Sequence, residues 1–188
     1  MARSHTHDGK IWFDRGCHIC HSKDAAWLDL LKVADPSVVA TARSRVVNYW
    51  HGHWITYPVQ NHLLELPAEN RIRALVDFVS AQIEHKGQTP ANYLEWCLFN
   101  YGEYITRNFY GEYTRKYWRT PMEELATDWL SGRLLPSQIE KVIAGAVAAQ
   151  SEDQPAFASF YYPSRGGYFS LFAPLYTDIK VVCGARAE

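Results

Sequence analysis

The spacing of the apolar residues changes once in the middle of this chain, and that change limits the fold more than any other feature. Residues 45–57 read as a β-hairpin. Val46-Val47-Asn48-Tyr49-Trp50 and Trp54-Ile55-Thr56-Tyr57 are rich in β-branched and aromatic side chains, with His51-Gly52 at the turn. Pro58 ends the second strand because it has no N–H to give to a ladder. After Pro67 the apolar residues Ile72, Leu75, Val76 and Val79 recur at helical spacing, up to Lys86-Gly87.

Further helices follow. Thr89-Pro90 signals one over residues 91–100, residues 102–110 form another, and Thr120 is placed to cap a short one from Pro121. Residues 137–150 make a modest amphipathic helix. Strand signals lie at both ends. Ile11-Trp12-Phe13 is broken by Gly16, and Ile179-Lys180-Val181-Val182-Cys183 is backed by Gly184. Asp24 or Ser22 caps a helix through residues 25–31, and Gly166-Gly167 marks a sharp turn. The pattern predicts one α+β domain over residues 1–188. It comprises a strand/loop segment with the hairpin (9–60), a helical subdomain (61–150) and a return strand segment (151–188), with a small, mostly antiparallel sheet.

Composition narrows the function classes. The 188 residues carry 19 Lys+Arg against 20 Asp+Glu and are 47% hydrophobic, which suits a domain with a sizeable core and offers no basic footprint for nucleic acid. No apolar run approaches the roughly 20 residues that span a bilayer, and the N-terminus lacks the apolar stretch of a secretory signal, so a cytoplasmic protein is expected. Cys17, Cys20, Cys97 and Cys183 then read as free thiols. The 7 Trp, 12 Tyr and 8 Phe suit a substrate pocket or a dense core equally.

Cys17-His18-Ile19-Cys20-His21 matches C-x-x-C-H, the attachment motif for c-type haem, but no export signal accompanies it. A zinc reading of Cys17, Cys20 and two histidines lacks a second pair at the usual spacing, so no metal site is assigned. Cys97 in an apolar helix reads as a small core residue. His5, His7, His51 and His53 receive no functional reading.

The same segment, Gly16-Cys17-His18-Ile19-Cys20-His21-Ser22, resembles the G-P-H-I-F-H-T segment of UDP-galactopyranose mutases, with cysteines at the proline and phenylalanine positions. Gly52-His53-Trp54-Ile55-Thr56-Tyr57-Pro58-Val59-Gln60-Asn61 resembles that family's G-K-x-F-x-L-P-x-N block. Phe109-Tyr110-Gly111-Glu112-Tyr113-Thr114-Arg115-Lys116-Tyr117-Trp118, followed by Pro121, Glu124-Leu125 and Arg133, resembles F-x-x-x-Y-T-x-K-x-W…P-x-x-L…R. Tyr162-Pro163 through Gly166-Gly167-Tyr168 is similar to G-x-P-x-x-G-Y, and the last strand to the I-x-V-x-x-G after it. The blocks keep the family's order, within the wider group of FAD-dependent mutase- and amine-oxidase-like proteins.

The resemblance implies the central, substrate-binding portion of such an enzyme, without the G-x-G-x-x-G turn that grips a dinucleotide pyrophosphate, and so no complete Rossmann domain. It implies that Gly16, His18, His21 and Tyr168 face the flavin, and that Gln60 and Asn61 face the sugar. Tyr110, Tyr113, Lys116, Trp118 and Arg133 would line the channel for diphosphate and base. In that family the reduced flavin is itself the nucleophile. FAD would not be held by this chain alone, and the implied partners are a companion FAD-binding polypeptide or a second copy, with a nucleotide-sugar-like substrate. The alternatives are a cofactor-free interaction module derived from such an enzyme, and a haem or metal protein using Cys17, Cys20 and His21. Taken residue by residue, His18 and His21 read equally as structural histidines in a turn, and Lys116 and Arg133 as solvated helix residues. Tyr110, Tyr113, Tyr117 and Trp118 read equally as core, and Gln60-Asn61 as turn chemistry.

Overall fold

A computed structural model describes residues 3–16, 18–20, 22, 24–34, 40–42, 46–130, 134, 136–150, 160–180 and 184. The chain folds as two compact units, one made of residues 1–44 with 157–188 and the other of residues 45–156.

In the first unit, β1 (Ser4–His7) pairs antiparallel with β2 (Ile11–Asp14), Ser4 opposite Asp14 and His7 opposite Ile11. The apolar run marked β2. Its partner Ser-His-Thr-His has no apolar alternation and is a strand only because β2 lies beside it. α1 (Ala25–Ala34) is capped by Asp24, whose Oδ1 accepts the N–H of Ala26 at 2.9 Å and of Trp27 at 3.2 Å. Ser22 Oγ instead accepts the Asp24 N–H. β3 (Ala40–Ala42) pairs antiparallel with β6 (Phe160–Tyr162), and Cys20 bridges to Tyr161 beside them. Cys20, Leu31 and Leu171 are buried together, with Trp27, Leu28, Tyr161, Tyr168 and Phe172 packed around them. Ile179 and Lys180 are not in a strand, and residues 181–183 of the expected final strand lie outside the described residues.

The second unit opens with the expected hairpin, β4 (Val47–Trp50) and β5 (His53–Thr56), turned at His51 (φ 44°) and Gly52 (φ 88°). Positive φ at both turn positions is the backbone that matches strand twist in a two-residue loop. Glu65 secures its end, its carboxylate accepting both the N–H (2.5 Å) and the hydroxyl (2.9 Å) of Thr56. α2 (Ala68–Glu84) follows Pro67, and it buries Ala74, Phe78 and Ala81 while Ile72 and Val76 stay exposed. Of the four residues that the apolar spacing marked, Leu75 and Val79 pack against the core while Ile72 and Val76 face away from it.

α3 (Tyr93–Ile105) begins later than Thr89-Pro90 suggests, because Asn92 supplies the cap. Its side chain accepts the Glu95 N–H at 3.0 Å, while the Glu95 carboxylate accepts the Ala91 N–H at 2.8 Å. Gly102 interrupts α3 with φ 76° and ψ 171°. A Cβ there would lie 2.5 Å from the Asp77 carbonyl carbon, so the two helices touch backbone to backbone. A π-helical stretch, Thr106–Gly111, then leads into α4 (Glu112–Trp118), which ends at Arg119 in left-handed conformation. The expected helix over 102–110 is thus split between the end of α3 and the π-helical stretch. Thr120 does not cap the turn at Met122–Glu124; its hydroxyl donates to the Trp118 carbonyl. α5 (Ile139–Val147) completes the unit.

The core of this unit joins Ile55, Leu63, Phe78, Cys97, Tyr101, Ile105 and Val142, all at 1% exposure or less, to nine further buried side chains. Full burial of one such side chain stabilises by about 1.5–3 kcal/mol. The architecture is α+β, and each sheet among the described residues is a two-stranded antiparallel pair rather than a parallel Rossmann sheet. No helix among the described residues is long and apolar enough to cross a membrane.

Candidate functional site

In the first unit the chemistry collects around Asp14, at the end of β2. Its carboxylate accepts hydrogen bonds from the Ser4 hydroxyl (2.6 Å), the Tyr162 hydroxyl (2.5 Å) and the Tyr168 backbone N–H (2.9 Å). Burial pushes the carboxyl pKa up, but these bonds and the nearby His18 outweigh it and hold Asp14 below the usual carboxylate range. The turn at Gly167 (φ 69°) allows the approach, since a Cβ there would fall 2.5 Å from Ser4 Oγ and 2.9 Å from Asp14 Oδ1.

The His18 ring stacks on Tyr168 with centroids 5.3 Å apart and planes 29° from parallel. His18 Nδ1 donates to the Gly16 carbonyl at 3.1 Å, which fixes the ring's orientation. Gly16 has φ 86°, and a Cβ there would meet only His18, at 3.7 Å. The fold therefore gathers Gly16, His18 and Tyr168, three of the four residues expected to face a flavin. The fourth, His21, lies outside the described residues. A half-buried pair of rings beside a glycine backbone fits one face of a planar ring system such as a flavin. Cys20 is a small-core residue, its Sγ accepting the Trp27 indole N–H at 2.9 Å. Cys17 lies outside the described residues, which hold no group of three or more metal-ligating side chains.

In the second unit the expected substrate residues divide into an interior and an exterior set. Gln60 and Tyr110 are buried, with the Tyr110 hydroxyl donating to Gln60 Oε1 at 3.2 Å. Tyr110 also stacks on Tyr101 at 4.3 Å with planes 5° from parallel. Burial pushes the Tyr110 and Tyr101 phenols up, so both remain neutral donors. Cys97, in the same cluster, has its thiol pushed up to about 12 by burial, which leaves no thiolate nucleophile at neutral pH. Asn61 is half-buried, and α5 packs onto its backbone at Gly145.

The exterior set lies on α4. Tyr113 and Tyr117 stack at 5.4 Å with planes 11° from parallel, Trp118 meets Tyr117 edge-on at 5.1 Å, and all three are exposed. Burial and the neighbouring Tyr117 push the Tyr113 phenol up. Lys116 is exposed on the same helix. A separate cleft of about 540 Å³ is lined by Gly111, Arg115, Arg119, Thr120, Pro121 and Met122, with Arg115 paired to Glu112. Arg133 lies outside the described residues. Sequence reasoning missed Asp14, Arg115 and Arg119. A carboxylate closing a short aromatic strand was the only signal for Asp14, and the arginines gave none, since the π-helical stretch decides where α4 presents them.

No family model matches this chain. A solved structure does, titled "Crystal structure of reduced UDP-Galactopyranose mutase", with a TM-score of 0.82 and 24% sequence identity, over 95% of this chain and 38% of that one. The chain has a mutase-like fold. It spans well under half the length of that mutase, so the likeness concerns the fold of one part of it. Nearly the whole chain takes part, both the unit carrying His18 and Tyr168 and the unit carrying α4.

Proposed function

We propose that this chain is the substrate-binding portion of an FAD-dependent mutase or oxidoreductase acting on a nucleotide-sugar-like substrate. The observation that carries the reading is the mutase-like fold over 95% of this chain and 38% of the mutase. The wider FAD-dependent amine-oxidase-like kinship rests on the order of the sequence blocks. When bound, the flavin would supply the redox or nucleophilic chemistry.

This chain's residues would bind and orient. Gly16, His18 and Tyr168 offer a stacked face for the ring, and Asp14 holds the Tyr168 backbone in place. Tyr113, Tyr117 and Trp118 present aromatic planes suited to a nucleobase, and Arg115 and Arg119 in the cleft, with Lys116 on α4, are the cations of this segment suited to phosphate charge.

The test of the substrate reading is titration of the purified chain with UDP, followed by tryptophan fluorescence. Saturable quenching is expected, with Trp118→Ala weakening binding about tenfold, about 1.4 kcal/mol. No response up to about 10 mM UDP, weaker than about 3 kcal/mol of binding, overturns it. A second reading, a cofactor-free interaction module, is favoured by the exposed apolar side chains on the outer face of α2.

A further inference from the structure

Rings on α3, on α4 and on the short turn at Asp128–Leu130 touch one another in an unbroken line from the core of the second unit to its surface. Centroid to centroid, Tyr93 lies 5.3 Å from Trp129, Trp129 5.5 Å from Trp118, Trp118 5.1 Å from Tyr117, and Tyr117 5.4 Å from Tyr113. Trp96 joins the inner end, 6.4 Å from Tyr93. Exposure rises along the line. Tyr93 is 3% exposed, Trp129 is half-buried, Trp118 is 42% exposed and Tyr117 64%. Packing accounts for the inner rings, which lie in the core or against it. It does not account for Trp118, Tyr117 and Tyr113, whose large apolar faces stand in water. Every ring in the line is an indole or a phenol, which one-electron oxidants attack, and none is a phenylalanine, which resists them.

We infer that this line is a relay that carries an oxidising equivalent from the interior of the second unit to its surface, where it comes to rest as a phenoxyl radical on Tyr117 or Tyr113. The oxidant is a small inorganic radical, which is reduced to its anion when it takes one electron from the Trp129 indole. Trp129 recovers an electron from Trp118, and Trp118 recovers one from Tyr117. Tyr117 gives its phenol proton to water as it is oxidised. The net change is one oxidant reduced, one phenol oxidised to phenoxyl and one proton released, with both indoles restored. The outward direction follows from where a proton can go, because an oxidised phenol is a strong acid and is stable only once something takes its proton. Tyr93 is buried beside the Cys97 thiol, and burial pushes both groups up, so neither releases a proton at neutral pH. Tyr117 and Tyr113 are exposed, and water takes theirs. The oxidising equivalent therefore leaves the neighbourhood of Cys97, whose oxidation would put a polar sulfur acid into the core. The inference does not rest on the substrate-binding reading.

Pulse radiolysis of the whole chain with azide radicals tests it, without UDP. A Tyr49→Phe background removes the exposed Tyr49–Trp54 pair as a competing route. Indolyl and phenoxyl radicals absorb at different wavelengths, so the transfer is read directly. Indolyl decay into phenoxyl is expected at a rate independent of protein concentration. Stable oxidation products, mapped by peptide mass spectrometry, should concentrate on Tyr113 and Tyr117. Tyr113→Phe combined with Tyr117→Phe should lose that phenoxyl signal and leave the products on Trp118 and Trp129. Trp118→Phe, which keeps a ring but not an oxidisable one, should leave the Trp129 radical without an outlet. Trp118→Tyr should restore phenoxyl formation, a difference that packing alone does not produce. A rate proportional to protein concentration overturns the inference. So do products that lie on Trp129 and Trp96 in the chain with Trp118, Tyr117 and Tyr113 intact, or equal phenoxyl yields in Trp118→Phe and Trp118→Tyr.

Discussion

Gly145 of α5 lies so close to Asn61 that a Cβ on it would fall 2.1 Å from the Asn61 carbonyl oxygen and 2.4 Å from its carbonyl carbon. No rotamer relieves that contact, because both partners are backbone. Gly145→Ala is expected to destabilise the chain by about 1–3 kcal/mol or more by forcing α5 away. Gly102→Ala should cost at least as much, since a positive φ adds to the collision with Asp77. Urea unfolding followed by circular dichroism measures both. Gly87→Ala is the control, with positive φ but nothing within 4 Å of a Cβ.

Asp14 makes the first unit sensitive to acid. Its pKa is held below the ordinary value in the folded chain, so its contribution is complete above the unfolded value, about 3.9, and is lost as pH falls through the folded one. Near-UV circular dichroism from Tyr162 and Tyr168 should fade below about pH 4 in the wild type. In Asp14→Asn that acid step should be absent and the signal reduced already at pH 7, because the three donors lose their charged acceptor. An identical acid profile in the variant would contradict this assignment.

The tyrosine cluster makes the second unit sensitive to base. Burial raises the phenols of Tyr101 and Tyr110, so stability is present below the unfolded value of about 10 and is lost as pH rises through the folded ones. Tyrosinate absorbance should therefore appear in two steps, exposed phenols first and the buried ones together with loss of helix. Tyr110→Phe should cost about 1–3 kcal/mol by leaving Gln60 Oε1 without its donor.

Alkylation separates Cys97 from an ordinary thiol. Burial raises its pKa to about 12, so iodoacetamide at pH 8 should leave Cys97 unmodified in the folded chain and react with it fully in urea, as read by peptide mass spectrometry.

For the cap of α3, Asn92→Ala should cost about 0.5–2 kcal/mol, read from the same urea curves. Thr89→Ala, at the position the Thr-Pro pair suggested, should be nearly silent.

The elements carried by local physics were legible in the sequence. The hairpin was written in β-branched and aromatic residues around His51-Gly52, α1 in Asp24 and its apolar run, and the α+β class in the change of apolar spacing. Gly16, His18 and Tyr168 were singled out by resemblance, and the fold brings the three together in one unit. What stayed hidden depends on residues far apart along the chain. β1 is a strand because of β2, Asp14 matters because Tyr162 and Tyr168 return to it, and Gly102 breaks α3 because Asp77 stands beside it. Helical spacing could show that α2 has an apolar stripe but not which face the core would take. Tertiary packing chose Ala74, Phe78 and Ala81, since small side chains let α2 and α3 approach closely, and it left Ile72, Val76 and Ile83 outside. Tyr110 and Tyr113 were likewise indistinguishable by type and spacing. The π-helical stretch before α4 turned one into the core and the other onto the surface.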